Sequence, residues 1–308
     1  MLYKRRNWTS LAFLAPNFLG FAIFTSIPVV AAFVLSLCQW DIFHSPKFVG
    51  LRNFVALLGF SHGENGFEAN DPQFWQYMGN TLFLMMAIPL SMAGSMLLAI
   101  VLNQKLRGRV FYRTIFFLPS ICTGVGIMLL WKWIYEPDFG LFNYFLSLVG
   151  IEGPQWLRNY YWAKPSLMLM SLWVAIGGTN MILYLAGLQG IDPQLYEAAD
   201  IDGASKWQKF FHITYPLLMP TTFFIFITSV IGVNSGVAGF QGGFESAYVM
   251  TQGGPAGATK TVSYYIYDHA FQYFNMGYAA AISVVLFFLV LIVTLLNWRY
   301  GGKKVQYV

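Results

Sequence analysis

The sequence predicts an all-α membrane protein with six transmembrane helices and both termini cytoplasmic. Three observations carry this. Of 308 residues, 57% are hydrophobic and only 10% are charged, against about a quarter charged in an ordinary soluble domain. Charge is absent from six long windows, Asn7–Trp40, Pro72–Gln104, Thr114–Trp131, Pro165–Ile191, Phe210–Phe244 and His269–Trp298. Basic residues then concentrate in the alternate connections between those windows.

Each window is long enough for a helix to cross roughly 30 Å of hydrocarbon. Lipid offers no partner to a backbone N–H or C=O, so a span must be a helix or part of a closed barrel. Strict period-two alternation is missing, which leaves helices, expected at about 11–37, 78–103, 112–134, 165–188, 217–240 and 276–298 in a single 1–308 transmembrane domain. The segments on one side hold Lys4, Arg5, Arg6, Lys105, Arg107, Arg109, Arg113, Lys206, Lys209, Arg299, Lys303 and Lys304, twelve of the eighteen basic residues. By the positive-inside rule that side is cytoplasmic. The net charge of +5 is thus explained by topology, and no nucleic acid partner is implied. The apolar stretch after Arg6 is too long for a signal peptide and lacks a small-residue cleavage pattern, so it is read as the first span.

The connections have distinct characters. Asp41–Tyr77 is external and contains Ser61–Asn70, rich in Gly, Ser and Asn and expected as an exposed loop. Gln104–Arg113 is a short basic cytoplasmic hairpin. Glu136–Lys164 is external, with an amphipathic piece at Leu141–Leu148 too short to span and expected at the membrane interface. Gly253-Gly254-Pro255 marks a turn in the last external loop. Cys38 and Cys122 form neither a disulfide framework nor a metal site, and His44, His62, His212 and His269 lack metal-ligand spacing. No catalytic residue, cofactor or metal is expected.

The cytoplasmic loop Gln189–Pro216 is the most informative segment. Asp192-Pro193 is an N-cap followed by proline at the first helical position. Gln194–Ile201 favours helix, Gly203 interrupts it, and Ala204–Thr214 resumes a helical pattern. Two short helices joined at a glycine make a compact knob. Ala198 and Ala199 are small enough for another surface to approach closely, while Glu197, Asp200 and Asp202 place negative charge on a basic side. The residues alone allow either a solvated loop helix or a docking element.

The run from Glu197 to Pro216, EAADIDGASKWQKFFHITYP, resembles the cytoplasmic loop of ABC-importer permeases: Glu197-Ala198-Ala199, a glycine at 203, Ile213 and Pro216. It departs from the family pattern at Tyr215, where leucine is usual, and at Asp192 before Pro193. Further fragments resemble the carbohydrate-type branch: Asn80-Thr81, Leu106-Arg107-Gly108-Arg109, Phe111-Tyr112-Arg113, Leu118-Pro119, Trp131-Lys132-Trp133, Phe139-Gly140-Leu141, Thr251–Thr259, Tyr265-Ile266-Tyr267 and Gly277–Ala281. The ordered set covers nearly the whole chain and is similar to the first of the two sugar-permease types.

The resemblance implies a type I ABC importer permease fold in a bacterial or archaeal cytoplasmic membrane. It implies pairing with a second, different permease subunit around the path of a sugar-like solute. It also implies a cytoplasmic ATPase dimer that receives the loop helix, and a solute-binding protein outside. Glu197, Ala198, Ala199, Asp200 and Gly203 are the implied coupling residues, Glu197 pairing with a basic group of the ATPase and Gly203 permitting the bend. No phosphate-binding G-x-x-x-x-G-K-[ST] loop is present, so hydrolysis falls to a partner. The fifth span is rich in glycine and polar groups, and Asn234, Phe240, Gln241, Phe244 and Tyr248 are the expected substrate-path residues, amides for hydroxyls and rings for a sugar face. Close helix packing at small residues is the competing explanation of that segment. A secondary transporter is the alternative function. It would place ionisable groups within spans, and these spans are almost free of them.

Overall fold

The computed structural model describes residues 2–63, 66–104, 106–122, 124–232 and 243–301. Among the described residues the regular structure is helical apart from two short antiparallel hairpins. Helices Ala12–Ser36, Pro72–Asn103, Tyr160–Gln189, Lys206–Ile231 and Met276–Arg299 are each long and apolar enough to cross a membrane. Hydroxyls within them bond back to the preceding turn: Thr81 to the Tyr77 carbonyl at 2.8 Å, Ser95 to Ser91 at 2.7 Å and Thr222 to Leu218 at 2.9 Å. A polar side chain is thereby satisfied where no water can serve it.

Two expected spans differ in shape. The third, expected as one helix over 112–134, consists of Arg109–Ile121 and Gly124–Ile134, bent by 99° at the break. Pro119 lies within the last turn of the first piece, where it supplies no N–H to the ladder, and Cys122 takes an extended backbone with ψ 148. The fifth, expected over 217–240, is described as a helix as far as Ile231, and residues 233–240 lie outside the described residues. Gly232 caps it at φ +96, the left-handed conformation that ends helices at low steric cost. A short helix at Phe244–Ser246 continues as a wider turn over Ala247–Thr251.

The chain divides into two compact units. The first comprises Met1–Pro72 with Ile266–Phe287. In it, the apolar window of Ala12–Ser36 is largely uncovered by the rest of the chain, although Phe33 packs edge-on against Phe287 at 5.6 Å. Asn53 caps the end of that helix by donating to the Ser36 and Cys38 carbonyls at 2.8 and 2.9 Å. Cys38–Gln39 pairs with Lys47–Phe48, and Gly277 packs directly on the Cys38 carbonyl, where no Cβ fits. The expected loop Ser61–Asn70 is instead largely a β-hairpin, Phe60–Gly63 against Gly66–Ala69. Its Gly and Ser content announced the turn but masked the short strands beside it. Tyr278 donates to Asp71 at 2.6 Å in the buried part of this unit.

The second unit comprises Gln73–Tyr265 with Phe288–Val308. Its core gathers Leu84, Met128, Trp131, Tyr135, Leu167, Met170, Met250 and Tyr264. The buried Tyr135 hydroxyl donates to the Ser166 carbonyl at 2.7 Å. The second span packs on the fourth, and the fourth on the fifth. Small residues let these backbones approach. A Cβ on Gly94 would come within 2.8 Å of Ile176 Cδ1, and one on Gly177 would strike the Phe116 carbonyl. Ser95 adds an interhelical bond to the Ala175 carbonyl at 3.2 Å.

Candidate functional site

The loop after the fourth span is a built element. Asp192 accepts from the Gln194 N–H at 2.9 Å, and Pro193 opens the helix Pro193–Ile201. The helix ends in two reverse bonds, Ala204 N–H to the Ala199 carbonyl at 2.9 Å and Gly203 N–H to Asp200 at 3.1 Å. This is the glycine-terminated Schellman arrangement, and Gly203 sits at φ +75. A Cβ there would meet nothing within 4 Å, so the requirement for glycine is conformational, not spatial.

The next turn starts with a capping box in which Ser205 and Gln208 each bond the other's N–H, at 3.3 and 2.7 Å. Lys209 then reaches back to Asp200 at 2.6 Å. The Tyr196 hydroxyl lies 2.9 Å from that of Thr214. Both halves of the knob are therefore tied across Gly203. Beneath it, Ile100, Asn103, Leu188, Tyr196 and Phe210 line a cavity of about 290 Å³.

The outer surface of the knob carries the expected coupling residues. Glu197 and Ala198 are exposed, as are Asp200 and Gly203, while Ala199 is half-buried. Glu197 is in no ion pair among the described residues. Ile201 is 88% exposed and Trp207 72%, an apolar area that the sequence reading did not single out. The capping box and Lys209 were also missed. The S-x-x-Q spacing at 205–208 was the available signal for the box.

Of the expected path residues, Asn234, Phe240 and Gln241 lie outside the described residues. Phe244 and Tyr248 stack at 5.5 Å with 30° between their planes. Tyr264, which sequence reasoning missed, contacts both rings at 5.5 and 5.8 Å, and Lys260 Nζ stands 5.1 Å above its ring. Tyr248 remains 43% exposed. Aromatic rings of this kind suit a polyhydroxylated ligand, whose C–H face packs on an aromatic plane.

This wall is held by the loop that follows it. Thr251 and Thr259 hydroxyls meet at 2.6 Å across the turn. Gln252, Gly253, Ala256 and Gly257 all adopt positive φ. Asn80 on the second span donates to the Gly257 and Lys260 carbonyls and accepts from Lys164 Nζ at 3.1 Å.

A helical membrane protein with a capped, exposed knob between two spans and a separate aromatic cluster has the makeup of a transport permease. Residues 85–300 match the family model described as the binding-protein-dependent transport system inner membrane component. The chain belongs to that family and is the inner-membrane permease component of an ABC importer, a non-catalytic subunit. It is 36% identical to the lactose transport system permease protein LacF of Rhizobium radiobacter, over 98% of this chain and 95% of the relative. It is 34% identical to the arabinooligosaccharides transport system permease protein AraP of Bacillus subtilis (strain 168), over 98% and 91%. Among solved structures it is similar to a chain of a bacterial ABC transporter involved in the import of the acidic polysaccharide alginate. That likeness has a TM-score of 0.82 and 25% identity, and covers 99% of each chain.

Proposed function

We propose that this subunit forms, with a second and different permease, the translocation path for a sugar or sugar-like solute. A separate cytoplasmic ATPase dimer powers the path, and an extracytoplasmic solute-binding protein feeds it. Both termini face the cytoplasm in this reading, following the bias of Lys and Arg. The observation that carries it is the knob at 192–209. Its helix is capped at both ends and braced by Lys209–Asp200, yet it presents Glu197, Ala198, Ile201 and Trp207 outward. A rigid element with an exposed apolar patch and an unpaired carboxylate transmits force only if something grips it. Glu197 would meet a basic group of the ATPase, Ala198 and Ala199 would allow close approach, and Asp200 and Gly203 would hold the bend. On the path side, Phe244 and Tyr248 offer stacking faces for a sugar ring, and Asn234, Phe240 and Gln241 belong to the same expected lining. The names of the relatives, lactose and arabinooligosaccharide permeases, support saccharides as the solute class.

The test is to co-purify the chain with its neighbouring permease and ATPase subunits and measure hydrolysis stimulated by the loaded binding protein across a sugar panel. Glu197→Lys and Gly203→Asp should each abolish stimulation or release the ATPase. A stable assembly whose stimulated hydrolysis ignores both substitutions would overturn the coupling assignment. A chain that associates with no ATPase would favour the secondary-transporter alternative.

A further inference from the structure

The segment between the third and fourth spans forms an open cavity of about 990 Å³ that the transport reading leaves without a role. It lies between the end of Gly124–Ile134, the short helix Leu141–Leu148 and the turn at 150–153. Its walls are fixed. Asn143 donates to the Pro137 and Pro154 carbonyls at 3.0 and 3.5 Å and accepts from Trp156 Nε1 at 2.7 Å, tying the two sides together. Gly153 sits against the Asn143 amide, and Gly140 against the Glu136 carbonyl, where a Cβ would collide in each case. Arg158 clamps Glu136 at 2.8 Å just outside the cavity.

The lining combines two chemistries. Trp133, Phe139 and Tyr144 line it and are 50, 63 and 58% exposed, so ring faces remain free. Asp138 and Glu152 line it as well, and neither is in an ion pair among the described residues. Ser147 adds a hydroxyl. Aromatic faces accept the C–H side of a pyranose, and carboxylates accept hydrogen bonds from its hydroxyls more strongly than neutral acceptors do. Two uncompensated carboxylates disfavour a phosphate or a uronic acid by like-charge repulsion. The volume sits at the upper end of the roughly 300–1,000 Å³ of small-molecule sites, room for several sugar units.

We propose that this cavity is a subsite for a neutral oligosaccharide, sharing no residue with the Phe244–Tyr248 wall. It rests on the import reading for its purpose, capture of the solute on the outer face, and on its own lining for its chemistry. Asp138 and Glu152 take hydroxyl protons, and Tyr144 and Trp133 stack on the rings.

The test uses the complete permease–ATPase assembly in nanodiscs without binding protein. Tryptophan fluorescence is titrated with maltotriose, raffinose, trigalacturonic acid and glycerophosphoethanolamine. A neutral trisaccharide should give a saturable change, weakened at least tenfold in Tyr144→Ala and in the near-isosteric pair Asp138→Asn with Glu152→Gln. The paired variant preserves cavity shape and carries the test alone if Tyr144→Ala fails to assemble. Absence of any response to both neutral sugars, or a response that the paired variant leaves unchanged, overturns the proposal. So does tighter binding of the charged trisaccharide or of the lipid headgroup. The import reading fails on a different result, the indifference of stimulated hydrolysis to Gly203→Asp, so the two failures are distinguishable.

Discussion

Asn80 holds Lys260 by its main chain. The buried amide of Asn80 donates to the Lys260 carbonyl at 2.9 Å, and to that of Gly257 at the same distance. Thr81 beside it accepts the Val262 N–H at 3.0 Å. Two adjacent residues on the second span thus fasten the Thr251–Thr259 turn, and Lys164 joins the fourth span to the same amide.

Asn80→Ala should destabilise the assembly by about 1–3 kcal/mol, the cost of leaving buried carbonyls unpaired. Asn80→Asp should be worse, since it keeps the Lys164 acceptor but sets a carboxylate against two carbonyls. Lys164→Met should be milder because the loop bonds survive. Thermal midpoints of the purified assembly give the order, and a lower midpoint for Lys164→Met than for Asn80→Asp would refute the clamp.

The knob makes a local prediction. Gly203→Ala forces a Cβ into the left-handed region at a cost of about 1–2 kcal/mol, with no steric clash to relieve. Ser205→Ala removes the cap and should cost about 1 kcal/mol. Lys209→Met breaks a pair whose Asp200 side is exposed and should cost about 1 kcal/mol. Amide exchange over 198–208 should quicken in the first two variants while the spans stay protected. Uniform loss of protection along the chain would argue against an independent knob.

Packing of the fourth span separates two glycines. Gly177→Ala pushes a methyl into the Phe116 carbonyl, a backbone atom that cannot step aside. Gly94→Ala meets only side-chain atoms of Ile176, Cδ1 and Cγ1 at 2.8 and 2.9 Å, and a side chain can change rotamer. Gly177→Ala should lose most folded, detergent-stable protein and Gly94→Ala little. Equal yields in fluorescence-detected size exclusion would contradict the close approach at Gly177.

At the end of the first hairpin, the His44 side chain and N–H both bond the exposed Asp41 carboxyl, at 2.7 and 2.9 Å. These bonds hold its pKa below the ordinary carboxylate value, the side-chain bond most of all. A lowered folded-state pKa gives stability that is present above the ordinary value and lost as pH falls through the lowered one. In His44→Ala the Asp41 carboxyl should titrate at higher pH, as read by carbon NMR of labelled aspartate. An unmoved titration would show that the pair does not persist in solution.

Much of this protein was legible because lipid is a demanding solvent. The charge-free windows predicted helices, and five appear near their expected places. Asp192-Pro193 predicted a helix start, and a start lies there, since a cap is a contact between residues two apart. The break at 122–124 was not legible. Pro119 alone permits either a kink or a stop, and neighbouring packing chooses between them. The β-hairpin at 60–69 was missed because its strands are only four residues each, too short for alternation to register.

The site divides along the same line. Asn80-Thr81 and Thr251–Thr259 were each visible as motifs, but their joining spans 177 to 180 residues and depends on which helices lie side by side. Tyr264 entered the aromatic wall for the same reason, while the cavity at Trp133–Gly153 is shaped by the Asn143 bonds to Pro137, Pro154 and Trp156. The sequence by itself determined the solvent, the helices, their local caps and the family, all set by composition or by neighbours within a turn. Only the tertiary structure decided which carbonyls Asn80 reaches, which rings stack and where a cavity opens. Those contacts depend on which elements pack side by side, as the close approaches at Gly94 and Gly177 also do, and no local pattern encodes that.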